Sequence, residues 1–161
     1  MSELRVGIGV DAHALADGVP LVLGGVRFDE SSRGLAGHSD GDVLAHALTD
    51  AILGAAGLGD IGSLFPSGDP GLAGVDSLVL LRDALAEVNE RGWRVVNADC
   101  ILIGEEPRIA PRREEMRARL SDALGVDAER VTVRATTTDR LGFTGRGEGL
   151  AAQAVALLER A

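Results

Sequence analysis

Apolar and polar positions along this chain fall into blocks of two periods. Leu4 to Val10 is a short apolar run that reads as a first strand, and Leu21 to Phe28 reads as a second. Residues 29–38 (DESSRGLAGH) have no period and read as a loop. The pattern then switches. Val43, Leu44, Ala47, Leu48, Ala51 and Ile52 recur at helical spacing behind Asp40 or Asp42 as a cap, and Gly54 and Gly57 weaken the far end. Residues 59–74 (GDIGSLFPSGDPGLAG) form a long Gly/Pro loop of the kind that is usually functional. Leu78, Leu81, Leu85 and Val88 predict a second helix over Asp76–Arg91, ended by Gly92. Trp93–Ile103 reads as a long strand, GEEPRIAP as a turn, and Arg112–Leu124 as a third helix. Arg130–Thr136 is the last predicted strand and Gly149–Arg160 the last predicted helix.

The resulting order, β-β-α-α-β-α-β-α, carries no repeat, linker or low-complexity segment. It predicts one domain over residues 1–161, α+β or α/β, with α+β the better reading: a β-sheet covered by helices. Composition narrows the partners. Net charge is −9, every one of the 16 basic residues is arginine, and only four aromatic residues occur. Such a surface repels nucleic acid and anionic lipid and offers no stacking platform, so neither is an expected partner. No apolar run approaches the roughly 20 residues of a membrane span, and MSELRVGIGV has no basic region ahead of a long apolar stretch. The single cysteine, Cys100, cannot form an internal disulfide and reads as core. A cytoplasmic location is expected.

Three histidines stand out in so poor a background. In GVDAHAL, Asp11 and His13 are two residues apart, so a strand points them the same way. His46 lies on the predicted helix, four residues from both Asp42 and Asp50. Asp11, His13 and His46 together offer two nitrogens and one oxygen, leaving a tetrahedral position open as catalytic zinc does. Manganese or iron also suits these ligand types. Asp42 or Asp50 is expected to orient the His46 ring. The competing reading of a lone D-x-H is a core histidine beside a surface aspartate. His38-Ser39-Asp40-Gly41-Asp42 stands at a helix start, where free amides bind phosphate or simply cap. In RATTTDRLGFTGRGEG, threonine hydroxyls and exposed amides suit phosphate oxygens, and Asp139 suits a hard cation. There is no nucleophile elbow, dinucleotide fingerprint or Walker motif.

Taken together, GVDAHAL, HSDGDVLAHALTDAILGAAGLGDIGSLFP, DS with its following helix, and ATTTDRLGFTGRGEGLAAQAVALL closely resemble the 2-C-methyl-D-erythritol 2,4-cyclodiphosphate synthase family across essentially the whole chain. The resemblance implies a homotrimer with active sites between subunits. It implies cyclisation of 4-diphosphocytidyl-2-C-methyl-D-erythritol 2-phosphate, the 2-phosphate attacking the β-phosphorus and CMP leaving, in the non-mevalonate isoprenoid pathway. It assigns Zn2+, or another divalent transition metal, to Asp11, His13 and His46, and Mg2+ or Mn2+ to Asp139. It assigns transition-state stabilisation to His38 and Thr137. Substrate contacts map to Asp11, His13, His38, Ser39, Asp60, Ile61, Gly62 and Phe65 to Asp69. They map also to the cytidine loop Gly104–Ala110 (through Pro107), and to Thr136, Thr137, Thr138 and Asp139. Phe143 and Arg146 match positions lining a central cavity that can take an isoprenoid diphosphate, or Phe143 simply packs the interface. Two departures stand out: GEEPRIA shares little but Pro107 with common members, and many members carry glutamate at 139. The competing functions are a metal-dependent phosphatase and a non-catalytic nucleotide-binding module.

Overall fold

The computed structural model describes residues 1–161. The first strand, β1 (Leu4–Asp17), runs seven residues past its predicted end, carrying Asp11 and His13 within it. The predicted second strand is instead a tight hairpin, β2 (Val22–Leu23) and β3 (Val26–Arg27), turned at Gly24-Gly25. Both glycines take positive φ, so the pair that reads as part of an apolar run is the turn itself. A further short strand, β4 (Arg33–Leu35), falls inside the predicted loop and pairs with the end of β1.

Helix α1 (Val43–Ala56) is capped by Asp42 and closed by Gly57 in the left-handed region, as its pattern predicts. The Gly/Pro loop holds one helical turn, α2 (Ile61–Leu64), and a 3-10 turn at Pro70–Leu72. Helix α3 (Ser77–Glu90), β5 (Trp93–Ile103), α4 (Arg113–Leu124) and β6 (Val131–Thr136) follow the predicted spans within a residue or so. A turn of helix, α5 (Gly142–Gly145), then leads into the last element.

That last element corrects the prediction. Gly149–Arg160 is not a helix but a strand, β7, and it is the middle one of a five-stranded sheet ordered β4-β1-β7-β5-β6. It pairs antiparallel with β1 on one side and β5 on the other, while β5 and β6 run parallel. Alanine favours helix in isolation. Here a strand pairs with it on either side, and the small side chains Ala152, Ala154 and Ala156 are buried. The opposite face of β7 is also largely apolar, which erases the period-two signal.

The three long helices cover only one face of the sheet. Buried residues of α1, α3 and α4 join the inward side chains of β5, β6 and β7, Cys100 among them, in one core. Burial pushes the Cys100 thiol up to about 12, so it is an inert packing group. On the other face β1 presents Val6, Ile8 and Val10, which are 70 %, 59 % and 63 % exposed, with Val155 of β7 beside them.

Candidate active site

The inward face of β1 reads Gly7, Gly9, Asp11, His13. A Cβ at Gly9 would run into the carbonyl oxygen of Ala47, and one at Gly7 into that of Ala51. The helix therefore lies directly on the strand backbone. That close approach brings His46 over the two β1 side chains.

Asp11 Oδ2 lies 2.8 Å from His13 Nε2 and 3.1 Å from His46 Nδ1. The two nitrogens are 3.2 Å apart. These are the sequence-predicted donors, gathered as one group able to hold a metal ion. The far nitrogens decide the protonation. His13 donates from Nδ1 to the Ala36 carbonyl at 2.8 Å, which leaves Nε2 with its lone pair toward the cluster. His46 Nε2 faces the hydroxyls of Ser77 at 2.8 Å and Ser39 at 3.1 Å. The three donor atoms thus converge on one point, and in the tautomer that leaves His46 Nδ1 without a proton all three would offer a lone pair. A divalent cation fits that donor set.

The electrostatics agree. Burial pushes the Asp11 carboxyl up, yet the hydrogen bonds and charges of His13 and His46 outweigh it and hold its pKa below the ordinary value. The Asp11 hydrogen bond pushes His13 up against the opposing effect of burial. A proton is thus drawn to the place a cation would take.

Neither helix acid orients His46, contrary to the sequence expectation. Asp42 is fully buried and accepts from the amides of Gly24, Gly25 and Ala45, at 2.9, 2.7 and 3.1 Å. It caps α1 and pins the β2–β3 turn in one act. Burial pushes its pKa up to about 6, with the charge of Asp40 adding to the rise and the three amides opposing it. Asp50 accepts from the Ile61 amide at 2.7 Å, tying α2 to α1, and burial raises its pKa too. The groups that do reach His46, Ser77 and behind it Asp40, lay hidden in the sequence as ordinary helix-capping residues.

A cleft of about 440 Å³ opens over the triad, lined by His38, Ser39, Ile61, Gly62 and Phe65 among others. His38 donates from Nε2 to the Asp69 carbonyl at 2.7 Å, leaving Nδ1 free, and its own carbonyl accepts from Gly74. Asp60 and Asp69 are caps of the two helical turns in the overhanging loop. The Ser63 hydroxyl and amide hold the exposed Asp60 carboxyl below its usual range.

The other predicted site residues stand apart. Gly104, Pro107 and Ala110 follow β5, and Thr136, Thr137, Thr138 and Asp139 end β6; the Gly104 amide donates to the Thr136 carbonyl at 3.0 Å. Register puts Thr136 opposite Ile103, Ile103 opposite Ala151, and Ala151 opposite Ala12. Thr136 is therefore level with the triad but three strand spacings away, about 14 Å. Within the turn, Asp139 and Arg140 both have positive φ. Thr138 donates its hydroxyl to the Leu141 carbonyl, while the side chains of Thr137 and Asp139 have only each other's residue as partner, at 3.3 Å. Phe143 is 43 % exposed and stands with Ala12, Ala14 and Glu148, and Arg146 pairs with Glu148 at 2.9 Å.

Comparison with known proteins agrees with this arrangement. The model of the YgbB family matches residues 4–159. A 2-C-methyl-D-erythritol 2,4-cyclodiphosphate synthase of Rubrobacter xylanophilus is 62 % identical, over 100 % of this chain and 98 % of its own. Among solved structures, the bifunctional IspDF of Campylobacter jejuni superposes with a TM-score of 0.95 at 42 % identity, covering all of this chain and 43 % of that one. A 2C-methyl-D-erythritol-2,4-cyclodiphosphate synthase in its CDP-bound form superposes at 0.87 with 40 % identity, over 96 % of this chain and 99 % of that one.

Proposed function

The chain belongs to the YgbB family of 2-C-methyl-D-erythritol 2,4-cyclodiphosphate synthases, and on that premise we propose how its residues divide the work. The reaction closes 4-diphosphocytidyl-2-C-methyl-D-erythritol 2-phosphate to 2-C-methyl-D-erythritol 2,4-cyclodiphosphate with loss of CMP, a step of isoprenoid biosynthesis. The nucleophile is the substrate's own 2-phosphate, so the reaction asks for none from the protein. Folding a flexible polyanion until its ends meet in line is a positioning task.

Asp11, His13 and His46 would hold zinc, and the observation that carries this is the convergence of their three ligand atoms with both far ring nitrogens hydrogen-bonded. Asp139, beside Thr137, would hold magnesium. Bound there, the two cations would polarise phosphoryl oxygens and offset the charge of substrate on a protein of net charge −9. His38 Nδ1 and Ser39 face the same cleft and would bind the methylerythritol phosphate, with Ile61 and Gly62 closing over it. The loop Gly104–Ala110 would hold cytidine largely through its backbone, which tolerates the unusual GEEPRIA.

The half-sites at β1 and β6 never meet in one chain, and the uncovered stripe Val6, Ile8, Val10 gives a second copy a place to pack. Both features support a homotrimer with the active site shared between neighbours. Phe143 and Arg146 would then face its axis, where an isoprenoid diphosphate could sit. The lone buried Cys100 supports a reducing, cytoplasmic setting, and no helix is long and apolar enough to cross a membrane.

Phosphorus NMR of the protein with substrate, zinc and magnesium tests this reading. The expected products are the cyclic diphosphate and CMP. Free phosphate would mean a phosphatase, and binding without turnover a non-catalytic module. His46→Ala should lose zinc by elemental analysis and lose turnover while keeping its circular dichroism; full zinc retention would sink the ligand assignment.

A further inference from the structure

Behind His46 lies a chain of hydrogen bonds whose polarity can be worked out atom by atom. Asp40 is its anchor. One carboxylate oxygen accepts from the Asp42 amide at 3.0 Å, and the other from the Ser77 amide at 3.1 Å. The first also accepts the Ser77 hydroxyl in a short hydrogen bond. An ionised carboxylate has no proton to give, so the single hydroxyl proton of Ser77 is committed to Asp40. Ser77 Oγ, fully buried, can then only accept at its two other contacts, His46 Nε2 at 2.8 Å and the Ser39 hydroxyl at 3.4 Å. The proton of the His46 contact must come from the imidazole.

We propose that Asp40 and Ser77 are positioning residues that hold His46 as its Nε2–H tautomer, so that the Nδ1 lone pair faces Asp11 and His13 before any metal arrives. The inference rests on the zinc reading and deepens it. Position and element both favour the role. Asp40 lies just before α1, which carries His46, and Ser77 is the first residue of α3. The same carboxylate thus joins the metal-facing helix to the end of the loop that overhangs the cleft, where the Asp40 amide also donates to the Val75 carbonyl at 3.0 Å. Ser39 is a weaker alternative acceptor at 3.1 Å, and it also takes the Gly41 amide. Its hydroxyl proton has no carboxylate to commit it, so it cannot set the polarity.

Three measurements test this. In the unaltered, metal-free chain, nitrogen-15 NMR of the imidazoles should report His46 as Nε2–H; an Nδ1–H signal there would overturn the proposal with no mutation made. Ser77→Ala removes the acceptor while leaving α3 its Asp76 cap. It should weaken zinc binding roughly 10- to 100-fold in chelator competition and mix the His46 tautomers. Asp40→Ala removes the acceptor and frees the Ser77 proton, and should do the same even if Ser77→Ala fails to fold. Zinc affinity within twofold of the unaltered chain in a folded variant, with Nε2–H retained, rejects the relay while leaving the triad intact. Failure of the unaltered chain to bind zinc rejects the metal reading instead, and the tautomer is still read.

Discussion

The triad and the Thr136–Asp139 turn stand level on one sheet, and they are built in opposite ways. At the triad, each donor comes from a long element: two from β1 and one from α1, with the far ring nitrogens tied to Ala36 and Ser77. His46 is 9 % exposed. At the turn, Thr136, Thr137 and Asp139 are exposed at the end of an edge strand, and the Thr137 and Asp139 side chains find only each other. The first region is organised by this chain's own packing. The second is left open, as the proposed shared site would require. In that reading preorganisation falls where the ligand would be a bare ion, and openness where a large polyanion would enter.

The hardest way to break the first region is to separate its two elements. In Gly9→Val the added carbons would meet the Ala47 carbonyl, a backbone atom that cannot give way without moving α1. The expected cost is about 3 kcal/mol or more, as for severe overpacking, with zinc lost at the same time. Thermal denaturation and metal content of one preparation read both. A stable variant that keeps its zinc would show that the α1–β1 contact does not build the site.

How much of this contrast was legible in the sequence follows from the range of the interactions. The D-x-H pair is local, and strand alternation alone puts its members on one side. Helix α1 announces itself through period and cap. Asp42 and Asp50 mislead because helical spacing gives their face but not the hairpin and the loop that claim their carboxylates. The run Gly149–Arg160 misleads for a related reason. Its alanines favour helix in isolation, while here they are small where α1 packs on a central strand. The register that sets Thr136 level with Ala12 is a property of four strands at once, and no window of the sequence contains it.

The second comparison to sharpen is between the chain and its assembly. Ile8 is 59 % exposed on the uncovered face of β1, so Ile8→Asp should cost a lone chain little. In a trimer packed on that stripe it buries an unpaired charge. Light scattering should show monomers, and turnover should fall at least about 100-fold because positioning is lost. Zinc content should not change, since all three donors belong to one chain. An active monomer would contradict the shared site.

The smallest expected effect tests the open half itself. Asp139 is the acid proposed for magnesium, and it is one carbon–carbon bond, about 1.5 Å, shorter than a glutamate would be. Its backbone already sits at positive φ, as does that of Arg140, and its carboxylate has only the Thr137 hydroxyl as a side-chain partner. Magnesium takes oxygens near 2.0–2.1 Å but keeps several waters. The missing bond length can therefore be bridged by water or by movement of the turn, since no packing fixes the carboxylate. Asp139→Asn keeps the shape and removes the charge. Ligand charge count governs cation affinity, so the magnesium needed for half-maximal rate should rise roughly tenfold. Zinc content and the melting temperature should stay unchanged. A magnesium titration that overlays the unaltered protein would mean that substrate phosphates alone hold the second cation, and the two halves of the site would then differ in kind: one a protein metal centre, the other a phosphate cradle.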